Sequence, residues 1–563
     1  MSTNSKNTPI DRLSFHQGHD SAIAYSINGK FYNISIEKLR NIRYSNFLKN
    51  DSIHYGGKDT SVLNHVEEII GDHKFDEIVI PRMSYYQYDM KPQGEVGAVI
   101  SMLRRFLKPN GRTVISCPHH QSHAELGLAT SPFDKALIIT TDGGGDNEFF
   151  TVSIGDRKKG IRQIMSKQLN LGALYLSGCS FVSEIEGNIY PSFSGKGMGL
   201  VARGDTILEG VRRFLKHVFE PNHAPRASEI FFREDGGRMN GFKRIRLLLG
   251  NRVVQDLYND LDSPILHKSP KLTSGKRSYD VMYTTQKTFE EIFDIHVDPF
   301  LEKYKDLPVI ISGGCALNVL NNERMKKKIY PRRVFIPSAP CDSGLALGYI
   351  LERDRPQTQI DLHNSSPFIS DLNALDYLKS TREHKIVSNR DIAELLSQGK
   401  IIGYMQGPSE TGPRALGFRS ILCDPSYPNM REMLNDKIKH REWFRPFAPV
   451  CLLKHANKYF DSPTFDNMEF MSFAVDVKED AKTKIPAIVH ADGSARLQTV
   501  TKTSSPHLYK LLIEFTKLTG KHVLLNTSLN SWGNPIANTI ERGLEILDKT
   551  EMDYLVVDDV LFS

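Results

Sequence analysis

No stretch of the sequence stays apolar for the roughly 18 residues that a membrane-crossing helix requires. Its opening, Met1 to Ile10, lacks the apolar segment of a secretion signal. Cysteine is scarce: Cys117, Cys179, Cys315, Cys341, Cys423 and Cys451 lie far apart, with no CxxC pair. That spacing argues against a disulfide framework or a thiolate metal knuckle and fits a reducing cytoplasm. An excess of one charge is also missing. The net value of +6 is small for 563 residues and cannot by itself establish a nucleic-acid partner. Low-complexity tracts and short-period repeats are absent too. What is present, 40% hydrophobic and 25% charged residues, is the balance of a folded globular chain. The length exceeds one ordinary core and predicts about two to four domains.

Two segments share a rhythm. The first is a predicted strand–turn–strand from Ser21 to Ile36, with Asn28-Gly29 as the hairpin signal. The second runs from Ala136 through Asp142-Gly143-Gly144-Gly145-Asp146 to Ile154. Two such units suggest the duplicated halves of an actin/Hsp70-like nucleotide fold. A third glycine segment, Ser312-Gly313-Gly314-Cys315-Ala316-Leu317-Asn318, follows the short strand Val309–Ile311. This strand, turn and helix order sets backbone N–H groups against a phosphate. Residues 206–305 read as a helical, charged insertion, whose cations form a solvated face and whose framework builds the acceptor pocket. Residues 356–371 are polar, contain Pro356 and Pro367, and read as a linker. The expected division is 1–355, linker 356–371, and 372–563.

His119 and His123, four apart ahead of an Ala/Leu-rich stretch, share one face of a helix. Asp142, ending an apolar strand, and Asp342 are the natural candidates to complete a metal site. Two imidazoles and two carboxylates suit Fe(II), Mn(II) or Zn(II). His19, in Gly18-His19-Asp20-Ser21 just before the first hairpin, is the candidate general base. Lys196, in Ser194-Gly195-Lys196-Gly197-Met198-Gly199, sits among flexible glycines suited to a nucleotide phosphate, without P-loop spacing. The densest anion chemistry lies further on. Arg414 and Arg419 occupy Gly412-Pro413-Arg414-Ala415-Leu416-Gly417-Phe418-Arg419, and Lys439 and Arg445 follow near Arg445-Pro446-Phe447-Ala448-Pro449. Arg496 closes the run from His490, and Asn526 opens Asn526-Thr527-Ser528-Leu529-Asn530. Guanidinium forks match phosphate oxygens, and amides can orient a carbamoyl group.

Together these motifs resemble the O-carbamoyltransferase family of nodulation and antibiotic-tailoring enzymes, from about Leu13 to Val560. The resemblance implies an α/β protein. Its N-terminal domain is similar to the threonylcarbamoyl-transfer ATPase-like fold, and its C-terminal α/β domain would make carbamoyl adenylate from carbamoyl phosphate and ATP. It implies His119, His123, Asp142 and Asp342 as ligands of a metal, iron in the native enzyme, with Mg compatible beside the nucleotide. It implies Lys196, Gly313, Gly314 and Asn318 as nucleotide contacts. Arg414, Lys439, Arg496 and Asn526 would contact carbamoyl phosphate, with Arg445 and Arg419 as additions, and His19 would be the base. Two positions depart from the family pattern: Thr411 stands where Phe is usual, and Asn534 where Glu is usual.

A sugar or other natural-product hydroxyl is the first choice of acceptor, and a 5-hydroxymethylpyrimidine in a nucleotide or in DNA stays open. A sugar-kinase-like phosphotransferase and a non-catalytic nucleotide-dependent binding protein are the competing classes. A homodimer is the default assembly.

Overall fold

A computed structural model describes residues 9–18, 20–41, 43, 61–82, 95–146, 148–185, 191–219, 250–262, 272–362 and 372–563. Its first sheet contains β1 (Arg12–His16), β2 (Ala22–Ile27), β3 (Lys30–Ser35), β4 (Phe75–Ile80) and β5 (Leu107–Ile115), in the order β3-β2-β1-β4-β5. The hairpin turn falls on Asn28 and Gly29, both left-handed at φ 52° and 76°, as a tight two-residue connection demands.

The second sheet contains β6 (Lys135–Thr141), β7 (Phe150–Asp156), β8 (Gly160–Lys167), β9 (Val309–Ser312) and β10 (Val334–Phe335). Its order, β8-β7-β6-β9-β10, repeats the first. In each sheet the central strand meets two antiparallel hairpin strands on one side and two parallel strands on the other. The protein is therefore α/β, with a duplicated actin/Hsp70-like half.

Between the sheets lie two helices, His119–Thr130 and Leu345–Asp354. Every residue of the first except Gln121 is buried, which explains why its second half, around Leu126-Gly127-Leu128-Ala129, carries no solvent-facing polar stripe. Leu126 and Ala129 pack with Ala22, Ala24, Leu347 and Ile350 toward the first sheet. Ala124 and Leu128 pack with Ile138 and Ile310 of the second. The helices cross closely because residue 348 is glycine: a Cβ there would lie 2.3 Å from the Ser122 carbonyl oxygen.

An eight-stranded sheet forms the C-terminal part, from β11 (His384–Ile386), β12 (Ile402–Met405), β13 (Arg419–Cys423), β14 (Ala448–Leu452), β18 (Gln498–Val500), β19 (Val523–Ser528), β20 (Tyr554–Val557) and β21 (Val560–Phe562). A small three-stranded sheet beside it contains β15 (Phe460–Asp461), β16 (Ala474–Val477) and β17 (Ser494–Arg496). Described parts of the 206–305 segment are helical, including Glu209–Phe219 and the long helix Lys276–Lys303. Arg212 and Arg213 of the former are ion-paired with Glu291 and Asp256 on its surface. Among the described residues no helix is long and apolar enough to cross a membrane.

Candidate active site

His119 opens its helix, and its backbone N–H is held by Asp146 Oδ2 at 2.8 Å. One turn later His123 brings its Nε2 to 3.2 Å from His119 Nε2. Asp142 leaves the end of β6; its Oδ2 accepts the Gly314 N–H at 2.7 Å and lies 3.1 Å from His123 Nε2. Gly313, at φ 87°, makes that approach feasible, since a Cβ there would lie 2.2 Å from the Thr141 carbonyl oxygen. Asp342 comes from the other side, with Oδ1 3.4 Å from Nε2 of both histidines. The four donor atoms lie within 4.8 Å of one another, and all four residues are buried.

Burial alone would lower the His123 pKa, but Asp142 and Asp342 outweigh it and push it up to about 9. Burial pushes both carboxylates upward, as does Asp342 on Asp142. The paired imidazoles outweigh this and hold each below its ordinary range. Two imidazole nitrogens and two carboxylate oxygens, buried and converging, fit a divalent metal ion.

The cluster is one end of a cavity of about 830 Å³ that continues into the C-terminal part. Gly143–Gly145, Gly314 and Asn318 line its near side, and Arg414, Arg441, Arg445, Arg496 and Asn526 its far side. The two regions expected from sequence are thus joined in one enclosure. The arginine loop is shaped by Glu410, whose Oε1 accepts the N–H groups of Leu416, Phe418 and Arg419 at 2.8, 3.0 and 2.9 Å. Arg496 is held well below the usual guanidinium range by burial and by Arg414 and Arg445; burial, Arg445 and Arg496 do the same to Arg441. Asn526 donates to Ala415 O and Gln498 Oε1, while its Oδ1 is buried without a hydrogen-bond partner among the described residues.

Other expected residues stand differently. His19 lies outside the described residues. Arg419 is fully buried, its guanidinium donating to the carbonyls of Gln406, Gly407, Phe418 and Asn538, and it does not line the cavity. Lys439 points its ammonium at Ser528 O and at Asn530, bracing the loop after β19. The segment around Lys196 is the helix Pro191–Val201 rather than a flexible glycine loop. Lys196 pairs with Glu442 at 2.5 Å, and it is the neighbouring Gly195 and Met198 that face the cavity. Gly313 acts through its backbone turn, one residue from the lining Gly314.

Sequence reasoning missed Arg441, two residues from Lys439, and also Arg43, Arg431, His16 and Tyr175, all on the wall. Arg441 was findable, lying between two cations already singled out. His16 and Tyr175 carry no local signal apart from the elements that aim them.

Residues 96–351 match the family described as Carbamoyltransferase N-terminus, and residues 393–563 that described as Carbamoyltransferase C-terminus. Nodulation protein NolO of Bradyrhizobium diazoefficiens is 30% identical over 466 residues, 79% of this chain and 78% of its own length. Nodulation protein U of Rhizobium fredii is 37% identical over 432 residues, 74% of this chain and 70% of its own. Uncharacterized protein sll1178 of Synechocystis sp. is 30% identical over 493 residues, 79% of this chain and 75% of its own. With both halves matched in order and relatives of this similarity across most of its length, the chain belongs to the carbamoyltransferase family and is a transferase.

Proposed function

We propose that this carbamoyltransferase is ATP-dependent, making carbamoyl adenylate at the arginine end of the cavity and passing carbamoyl to an acceptor hydroxyl at the His/Asp end. One observation carries the reading: the crowded guanidiniums and the metal-type cluster share a single enclosure. Arg414, Arg441, Arg445 and Arg496 converge on one end of the cavity, where neighbouring guanidiniums disfavour the charges of Arg441 and Arg496, and this excess of cations favours a ligand with several phosphate oxygens. The unpartnered Oδ1 of Asn526 suits a carbamoyl N–H. Formation of the adenylate balances as hydrolysis of carbamoyl phosphate to carbamate and phosphate, then attack of a carbamate oxygen on the α-phosphorus with departure of pyrophosphate.

In the second half-reaction the acceptor oxygen bonds to the carbamoyl carbon, its proton is lost, and AMP leaves. His119, His123, Asp142 and Asp342 would hold a divalent metal, which supplies Lewis-acid stabilisation of charge on the transferring group. The N–H groups of Gly143 and Gly314 are held by Asp142, and the turn at Gly144 and Gly145 on the same wall is the backbone that would meet the nucleotide phosphate. The acceptor in this reading is a sugar-type hydroxyl, and Tyr175, Leu176, Met198 and Phe289 line the cavity it would enter. There the Tyr175 hydroxyl is buried with no hydrogen-bond partner among the described residues, which suits a polyhydroxylated molecule.

Carbamoyl phosphate labelled at its carbonyl carbon, incubated with ATP and a panel of sugar-containing acceptors, tests this reading. It expects label in an acceptor only when ATP is present, with AMP formed alongside. Formation of ADP with no carbamoylated product would contradict it.

A further inference from the structure

β1 ends on a histidine that lies beside the cluster without belonging to it. Alternation along the strand sends Leu13 and Phe15 into the core of the first sheet and leaves His16 on the opposite face, toward the central helices. Pairing of His16 with Ala22 across the hairpin fixes its backbone. The side chain is 2% exposed and lines the cavity. Its ring meets His119 edge-on, with centroids 6.0 Å apart at 78°. Residue 18 must stay small for the ring to sit there, since a Cβ on Gly18 would come within 2.8 Å of His16 Nε2.

The two oxygens of Asp342 face different ways. Oδ1 is 3.4 Å from Nε2 of both His119 and His123, whereas Oδ2 is 3.7 Å from Nε2 of His16. His16 is not one of the four residues whose donor atoms all lie within 4.8 Å of one another. It therefore stands behind the carboxylate rather than among the ligands. The terminal torsion of an aspartate is soft and roughly two-fold, so an unaided Asp342 has no fixed rotation. A partner on its outer oxygen supplies one.

We infer that His16 is a positioning residue for Asp342, directing an Nε2–H at Oδ2 so that Oδ1 is presented to the metal. This rests on the metal reading above. At 3.7 Å the contact is an oriented electrostatic one, longer than a hydrogen bond and too short for a water to stand between. Partners of this kind orient ligands and tune affinity, and their loss weakens metal binding by about 10- to 100-fold.

Metal-stripped full-length protein titrated with Co(II) tests the inference, read by dissociation constant and ligand-field absorption, with metal-free melting temperature measured alongside. His16→Leu removes the donor, His16→Asn keeps an amide too short to reach Oδ2, and His16→Gln carries an amide N–H near the Nε2 position. The Leu and Asn variants are expected to bind Co(II) about 10- to 100-fold more weakly with an altered absorption band. The Gln variant is expected to recover most of both. Should His16→Leu fail to fold, the Asn and Gln pair carries the comparison. Wild-type protein that binds Co(II), with an Asn variant matching it in affinity and spectrum, overturns the inference alone. Wild-type protein that takes up no Co(II) overturns the metal reading and this inference with it.

Discussion

Arg419 and Arg496 look alike as residue types, and their surroundings give them opposite work. Arg419 satisfies four backbone carbonyls inside the C-terminal sheet, whereas Arg496 faces the cavity among other cations. Arg419→Met is expected to cost about 2–4 kcal/mol in chemical denaturation, because buried acceptors lose their donor. Arg496→Gln is expected to leave stability unchanged or slightly raised, since it relieves like-charge crowding. It should raise KM for carbamoyl phosphate about 10- to 100-fold, the scale of a lost charged hydrogen bond. Steady-state kinetics beside denaturation curves separates the two. The sequence supports choosing arginines in this stretch, but not sorting them. Sorting needs to know which guanidiniums meet carbonyls, and strands distant in sequence supply those.

His123 adds a pH dependence at the same scale. Its folded pKa, pushed up to about 9 from 6.5, means that the metal-free protein holds the proton more tightly than the unfolded chain does. That stabilisation is fully present below pH 6.5 and is lost as pH rises through 9. A metal competes for the same nitrogen, so metal affinity should rise over that window while metal-free stability falls. Melting temperatures measured across it, with chelator and with Co(II), should diverge as pH increases. Parallel curves would contradict the ligand role of His123.

At the scale of elements, the turn after β9 is the part on which the cluster most depends. Gly313→Ala combines φ 87° with a Cβ 2.2 Å from the Thr141 carbonyl oxygen, so the turn must shift and carry the Gly314 N–H away from Asp142. We expect a stability loss of about 1–3 kcal/mol together with weakened Co(II) binding. Gly29→Ala, strained at φ 76° but with open space around its Cβ, should cost stability without touching metal affinity. The two hairpins and the strand–turn–helix at Val309 were legible because turn residues and apolar alternation are local signals. The helix Pro191–Val201 was not: three glycines in six residues read as a flexible loop. Packing of Gly197 against Cys179 and Met282 overrides that propensity, since a Cβ there would lie 2.6 Å from each.

Across the whole molecule, the contacts that join the halves were the least legible, because they pair residues hundreds of positions apart. Lys38, buried on the short helix after the first hairpin, donates to the Glu410 carbonyl oxygen at 2.6 Å, just ahead of the loop carrying Arg414. Glu442 takes Lys196 from one side and Arg445 from the other. Lys38→Met should therefore lower stability by about 1.5–3 kcal/mol, the range for a hydrogen bond from a charged donor. It should also raise KM for carbamoyl phosphate, although Lys38 does not line the main cavity. Calorimetry is expected to show the C-terminal part melting separately in this variant; one unchanged transition with unchanged KM would show that the tie couples nothing.

The central claim, one cavity with activation at its arginine end and transfer at its His/Asp end, is tested most directly by carbamoyl-phosphate-dependent exchange of labelled pyrophosphate into ATP without acceptor. Exchange is expected in the wild type, retained in Asp342→Asn although that variant no longer carbamoylates an acceptor, and largely lost in Arg496→Gln at carbamoyl phosphate concentrations near the wild-type KM. Exchange lost in Asp342→Asn and kept in Arg496→Gln would contradict that claim.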